Sequence, residues 1–376
     1  MSAGTQRVLH YYARYLEHPS GVTDSLNHWA EASLAAGDDV SILAAEPTGG
    51  DRNEFAFEGV VKTIPHWGRN RGTWVPIGLV RELKRGDLLV LHEGWVLSNV
   101  VAGAIARIRG ARIVVMPHGV YEQQIVANQR DVLGIRARMD RWLLGRASAV
   151  HVFYPGEQTV VKEFASSVTR FITVPNGTTE VPADAMWTGA GNYFLWIGRF
   201  DLFHKGIDNL LEFWARLPLP RPKLRLVGPD FQNGRAEAVA LVDRLGLEDS
   251  VDISGRVSGA AKDELLARCL AYVHPSRWES CSIMLLEAAA AGVPSLISDS
   301  IHAADELGPL RVLHSVDFTD DTVDGQAALE SVAGNRELAG NARDWAATEA
   351  RWSRVGRQMV EAHTALGLRT QGGLRP

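Results

Sequence analysis

Residues 271–298 read AYVHPSRWESCSIMLLEAAAAGVPSLIS. A short apolar run ends at His274, a polar loop follows, and an apolar stretch of helical length stops at Gly292 and Pro294 before a second short run. Ser280 or Ser282 suits the helix N-cap, and Gly292 suits its C-terminal end. Strand, helix and strand in succession form the unit from which parallel sheets are built. The alternation extends in both directions. YFLWIG, KLRLVG and SVDISG precede it, each closing on a glycine, and the first half carries apolar runs near 7–10, 39–44, 87–91, 112–116, 148–153 and 171–174. Helical patterns such as SLNHWAEASLAAG and LSNVVAGAIARIRG lie between those runs and also end in glycine. The reading is an α/β chain with two doubly wound parallel sheets in series.

The join is legible as well. VPNGTTEVPADAMWTGAG, residues 174–191, is rich in Pro, Gly, Thr and Ala and has no clear period, as a linker would. A chain of 376 residues exceeds one ordinary core and suits two. The expected division is 1–180, 181–350, and a C-terminal helix with its tail over 351–376. ARDWAATEARWSRVGRQMVEAHTALG there reads as one long amphipathic helix or two.

Hydrophobic content of 46% and charged content of 22% are those of a globular protein, and a net charge of -5 gives no reason to expect nucleic acid. Cys269 and Cys281 lack metal-site spacing, no secretory leader precedes RVLHYY, and no run of 18 uncharged apolar residues occurs. The expectation is a reduced, cytoplasmic protein. One local bias departs from the average: eight arginines between 107 and 146 face only Glu122, Asp131 and Asp140. Such a surface is either a solvated helix face or one that meets an anionic membrane or acceptor, which adds peripheral membrane contact at the inner face to the expectation.

Ligands of open parallel sheets bind beyond the carboxyl ends of the strands. After YFLWIG comes RFDLFHKG, where Arg199 and Lys205 bracket a short loop. A planar guanidinium fork and a compact ammonium so spaced can straddle a diphosphate. The helix after the RWESCS loop offers its first-turn amides to the same kind of ligand. Glu279 and Glu287, eight residues apart, would be separated on one helix by about 12 Å and about 80°. That exceeds the roughly 5 to 9.5 Å of paired hydrolytic carboxylates. Since Glu279 precedes the helix, the two are expected to hold separate hydroxyl-bearing groups of one ligand, rather than to act as a catalytic pair. His118 follows the strand near 112–116, and a histidine, whose side chain ordinarily titrates near neutrality, could serve at a site there.

These residues resemble those of the family 4 glycosyltransferases, which are retaining enzymes of GT-B fold using nucleotide-sugar donors. WIGRF with HKG, LRLVGPD, ISGRVS, YVHPSRWESCSIMLLEAAAAGVPSLISD and VPNGT fall in that family's order and spacing. The E-x7-E arrangement and the Arg-x5-Lys pair are the most specific elements. The resemblance implies two Rossmann-like domains facing across a cleft, acceptor-binding first and donor-binding second, with the C-terminal helix crossing back. It implies that Arg199 and Lys205 bind the donor diphosphate with no metal or cofactor, which fits the lack of a D-x-D triplet. Glu287 would take the ribose and Glu279 the transferred sugar. Gly255, Arg256 and Val257 would meet the base, and Ser282, Ile283 and Gly198 the phosphates or sugar. His118 would contact the donor sugar or orient the acceptor hydroxyl, with Gly21, Val22 and Tyr121 on the acceptor side.

Two departures from the family pattern bear on these roles. HPSGVTDS has one glycine where the family commonly has two, and ESCS replaces the glycines that often follow the first glutamate. The implied reaction moves a hexose-type sugar from a nucleoside-diphosphate sugar to an acceptor hydroxyl on a glycan, glycolipid or small molecule. A nucleotide-sugar epimerase or a silent sugar-nucleotide binder shares the architecture. The former needs further acid-base groups, and the latter would have lost the rate-bearing side chains. Trp67, Trp74 and Trp95 lie near first-half loops and could stack on a sugar or fill the core.

Overall fold

The computed structural model describes residues 6–18, 20–47, 57–68, 73–129, 131 and 133–369. The chain divides into two compact units, Met1–Asn176 with Trp352–Pro376, and Gly177–Arg351. The crossing at Asn176 falls a few residues before the 180 read from composition, because the chain has already joined the second unit when Thr178 N donates to Ala350 O at 2.6 Å.

In the first unit the strands are β1 (Arg7–Tyr11), β2 (Asp39–Ala45), β3 (Val60–Ile64), β4 (Leu88–His92), β5 (Arg112–Met116), β6 (Ala149–Val152) and β7 (Phe171–Thr173). They form one sheet in the order β3-β2-β1-β4-β5-β6-β7, and every pairing is parallel. Helices cover both faces of such a sheet, so its central strands read as unbroken apolar runs. LLVLH of β4 is buried throughout. By contrast β3, VVKTI, lies at the edge with Val60 and Val61 exposed, and its sequence carried no signal of a buried strand.

The second unit contains β8 (Tyr193–Ile197), β9 (Lys223–Val227), β10 (Val251–Ser254), β11 (Ala271–His274), β12 (Ser295–Ser298) and β13 (His314–Val316), ordered β10-β9-β8-β11-β12-β13. The short β13, HSV, is the other strand that periodicity missed. Chain order reverses between β1 and β4 in one sheet and between β8 and β11 in the other. Each reversal opens a crevice beyond the strand ends, where a ligand fits.

The helix Ile207–Ala215 shows how the second core is set. Gly206, at φ +62, turns the chain, and Ile207, Leu210, Leu211, Phe213 and Trp214 bury one face against Trp196 and Phe200. Each such side chain contributes about 1.5–3 kcal/mol by burial, so Leu210→Ala should cost about 2–5 kcal/mol in denaturant titration. The helix Ile283–Ala291 is apolar nearly all round, and its alanines let it lie close against Arg336–Thr348. The long C-terminal pattern is two helices in different units. Arg336–Thr348 stays in the second, whereas Trp352–Ala365 packs in the first on Gly21–Ala35, with Trp352 edge-on to Trp29 at 5.0 Å. Among the described residues no helix is long and apolar enough to cross a membrane.

Candidate active site

At the β8/β11 crevice of the second unit, Gly198 and Gly228 let two strand ends approach so closely that a Cβ on Gly228 would lie 1.7 Å from Gly198 O. The loop that follows carries Arg199, whose Nη2 donates to Asp201 Oδ2 at 3.3 Å and whose guanidinium lies 4.1 Å over the Phe231 ring. Its Nε is enclosed without a hydrogen-bond partner. Lys205 Nζ donates to Glu279 Oε2 at 2.5 Å, and both side chains are 17% exposed. His274 Nε2 stands 3.6 Å from the same carboxylate oxygen. Burial alone would raise the Glu279 carboxyl, but the Lys205 ammonium, with help from His274, holds it well below the usual carboxylate range. Arg199 and Lys205 therefore differ: one keeps an unpartnered N–H, and the other is already paired.

The loop bearing Glu279 is pinned by Arg277, which clamps Asp208 through two bonds of 2.7 and 2.8 Å and reaches Asn209 at 2.6 Å. Bidentate guanidinium-carboxylate geometry of this kind fixes direction as well as distance. His204 stacks on Trp278 with centroids 4.6 Å apart and nearly parallel rings. After that loop Ser282 caps Ile283–Ala291, its hydroxyl accepting from Leu285 N at 3.3 Å. The cap resolves the choice between Ser280 and Ser282, and it leaves the amides of Ile283 and Met284 as first-turn donors without an intrahelical partner.

Glu287 lies inside that helix, so the two glutamates belong to different elements. Its Oε1 accepts from Lys262 Nζ at 2.7 Å, while Oε2 is buried without a partner. Lys262 sits on the helix Ala260–Arg268, immediately after the Gly255–Arg256–Val257 loop, and so ties that loop's element to Glu287. Tyr272 links the parts: its hydroxyl lies 3.1 Å from His274 Nδ1, and burial, followed by Glu279 and Glu287, pushes the phenol well above its ordinary range. Sequence reasoning missed His274, Arg277 and Lys262. His274 is the last residue of a strand and in the sequence reads only as marking the strand's end, and Arg277 and Lys262 look like ordinary surface cations.

The first unit has its own cluster at the β1/β4 reversal. Glu93, Trp95 and His118 all adopt positive φ, at 66°, 61° and 55°. Non-glycine residues held so cost about 1–3 kcal/mol each and concentrate at functional sites. A cavity of about 340 Å³ opens there, lined among others by Tyr12, Arg14, His92, Glu93, Trp95 and Arg136. Arg14 Nη2 bonds both oxygens of Glu93, at 2.8 and 2.9 Å. Trp95 is half-buried and lines the cavity, Trp74 is core, and Trp67 is exposed.

One acceptor-side expectation needs correction. Tyr121 is buried, its hydroxyl donates to Asp140 Oδ2 at 2.8 Å, and its ring stacks on Phe164, so it supports Trp95 from below instead of meeting a ligand. Gly21 and Val22 form the first turn of Gly21–Ala35. Asp140 also accepts from Trp95 N at 2.5 Å, and burial pushes its carboxyl up to about 6. Asp140→Ala strands both donors and should cost about 2–4 kcal/mol in chemical denaturation; an unchanged midpoint would refute this support.

Comparison with known proteins follows the same division. Residues 19–179 match the family described as Glycosyltransferase Family 4, and residues 180–309 the one described as Glycosyl transferases group 1. The MMP alpha-(1->4)-mannosyltransferase of Mycolicibacterium hassiacum is 28% identical over 209 residues, which are 54% of this chain and 50% of that protein. The match thus spans about half the length of the curated relative. Sucrose-phosphate synthase from Thermosynechococcus elongatus has the same fold at a TM-score of 0.76 and 22% identity, with 96% of this chain and 99% of that chain covered. Anabaena HepE in complex with UDP does so at 0.73 and 17%, with 96% and 100% covered. At these identities the likeness is one of fold: parallel-sheet α/β domains of the GT-B kind.

Proposed function

The chain belongs to the family 4 glycosyltransferases, and we propose that it moves a hexose-type sugar from a nucleoside-diphosphate sugar to an acceptor hydroxyl, with net retention and without a metal. The observation that carries this reading is the crevice of the second unit, where Arg199, the Lys205–Glu279 pair and the start of the Ile283–Ala291 helix stand beside Glu287 and its unpartnered oxygen. Charge builds on the diphosphate as it departs. Arg199 and Lys205 offset that charge, and the first-turn amides add donors that need no rearrangement during the reaction. Glu287 Oε2 is the free acceptor for a ribose hydroxyl, and the Gly255–Val257 loop meets the base. Glu279, ion-paired and ionised, is a poor proton donor and serves to place the sugar and Lys205. That Anabaena HepE was solved with UDP makes uracil the first base to try.

The test is a thermal-shift screen with UDP, GDP, ADP and TDP sugars, followed by mass spectrometry with candidate acceptors. One nucleotide class should raise the melting temperature and yield a product heavier than the acceptor by one hexose. A chain that none of them stabilises is not such an enzyme.

The arginine-rich stretch supports peripheral contact with an anionic membrane. Arg107, Arg109, Arg136, Arg138, Arg141 and Arg146 are exposed, while Asp140 and Glu122 are buried, so cations dominate the exposed face. Arg130 lies outside the described residues. Ile108 and Leu133, in the same stretch of chain, are 83% and 68% exposed, and an open apolar groove of about 520 Å³ is lined by Val100, Ala104, Arg138, Met139 and Trp142. Cations around exposed apolar side chains suit a headgroup layer over acyl chains. Vesicles containing phosphatidylserine should carry the protein upward in flotation at low salt and release it at high salt. No flotation at low salt would leave a solvated surface.

A further inference from the structure

Five histidines lie in the first unit beneath or beside the strained cluster: His10 on β1, His92 on β4, His118 after β5, His151 on β6 and His363 on Trp352–Ala365. Three form a row. His10 Nδ1 is 3.0 Å from His92 Nε2, and His92 Nδ1 is 3.0 Å from His118 Nε2. Both ring pairs stack with centroids 5.3 Å apart. Among the described residues no three His, Cys, Asp or Glu side chains are placed to hold a metal ion, so this is a hydrogen-bonded row. Burial lowers His10 and His118 to about 3 and His92 well below its ordinary value, which keeps all three neutral at physiological pH.

A neutral imidazole has one N–H and one bare nitrogen. In a row of three the hydrogens must therefore all point the same way, and the inner end decides which. His10 Nε2 is enclosed without a partner. Hydrogens directed inward would leave an N–H there with no acceptor; directed outward, they leave only a lone pair. His151, which couples electrostatically to His10, donates Nε2–H to Val174 O at 2.8 Å and so has a bare Nδ1, yet that atom too is unpartnered and does not reach His10. A buried N–H without an acceptor is the rarer and costlier defect. The outward direction wins.

We propose that the row His10–His92–His118 fixes His118 as the Nδ1–H tautomer, which makes His92 and His10 positioning residues for the sugar-transfer site. The functional half rests on the assignment of His118 to that site; the tautomer is a property of the free protein. With its Nε2 lone pair turned to His92 and hydrogen on Nδ1, His118 gives the substrate a hydrogen-bond donor of fixed direction. It cannot take the proton of an acceptor hydroxyl.

Long-range ¹H–¹⁵N correlation on histidine-labelled protein reads the tautomer, and the spectrum of His118→Gln identifies the His118 signals. The expected result is protonated Nδ1 and unprotonated Nε2. His92→Asn, whose amide N–H replaces the Nδ1–H, should preserve this pattern, and His92→Asp, whose carboxylate accepts at the same place, should reverse it. With the donor found by the screen, His92→Asp should lower kcat about tenfold with KM little moved, and His92→Asn should recover most of that loss. Wild-type His118 protonated at Nε2 overturns the proposal, as does a tautomer insensitive to His92→Asp; should that variant not fold, the wild-type and Asn spectra decide. If the tautomer is as expected but His118→Gln turns over at the wild-type rate, the row stands and the site assignment of His118 fails.

Discussion

Lys205→Ala should lower turnover by about 10²-fold or more, and Arg199→Ala by a similar factor. The two losses have different physical origins. Arg199 is held by one 3.3 Å contact and a ring face, so its removal takes a guanidinium fork from the departing phosphate and little else. Removing Lys205 also leaves Glu279 buried without its cation, and a buried charge stripped of its partner typically costs about 3–5 kcal/mol.

Linkage gives the sign of the pH effect. In the wild type the Glu279 carboxyl is depressed below its ordinary value of 4.5. Its stabilisation is therefore full above that value and is lost only as pH falls through the lower folded value. In Lys205→Ala burial prevails and the carboxyl rises, so the variant is penalised most at neutral pH and recovers on acidification. Denaturant titration should show a stability gap that narrows below about pH 5. A gap that widens there would remove the pair from the account, and near-normal turnover of both variants would remove the diphosphate assignment.

Glu287→Ala should weaken binding of free nucleoside diphosphate by about 10- to 100-fold in calorimetry, the range expected for losing one or two charge-assisted hydrogen bonds. Glu287 already satisfies one oxygen with Lys262, and the other is enclosed and unused. A ribose hydroxyl that reaches Oε2 therefore meets an acceptor that has already lost its water. The effect should fall on affinity more than on kcat, because the ribose contact is the same in ground and transition states. Unchanged affinity would exclude the ribose role.

Much of this molecule was readable from the chain alone, for reasons that also explain what was not. The central strands are buried on both faces, so YFLWIG and LLVLH announce themselves as unbroken apolar runs. The edge strand VVKTI and the three-residue HSV bury little and give no such signal. Arg199, Lys205 and Glu279 drew attention because they follow strand ends, where ligands bind in this architecture, and Glu287 because of its spacing from Glu279. Their partners did not. Lys262 reaches Glu287 from a neighbouring helix, and His274 and His92 are the last residues of their strands, where a side chain reads as core until tertiary packing places it. Tyr121 erred the other way: the family resemblance put it on the acceptor side, but Asp140, 19 residues later, takes its hydroxyl inward.

The most direct measurement is a crystal of this chain soaked with UDP. The account predicts the diphosphate between Arg199, Lys205 and the amides of Ile283 and Met284, with the ribose hydroxyls on Glu287. Nucleotide bound elsewhere, with those side chains left as they stand, would contradict it.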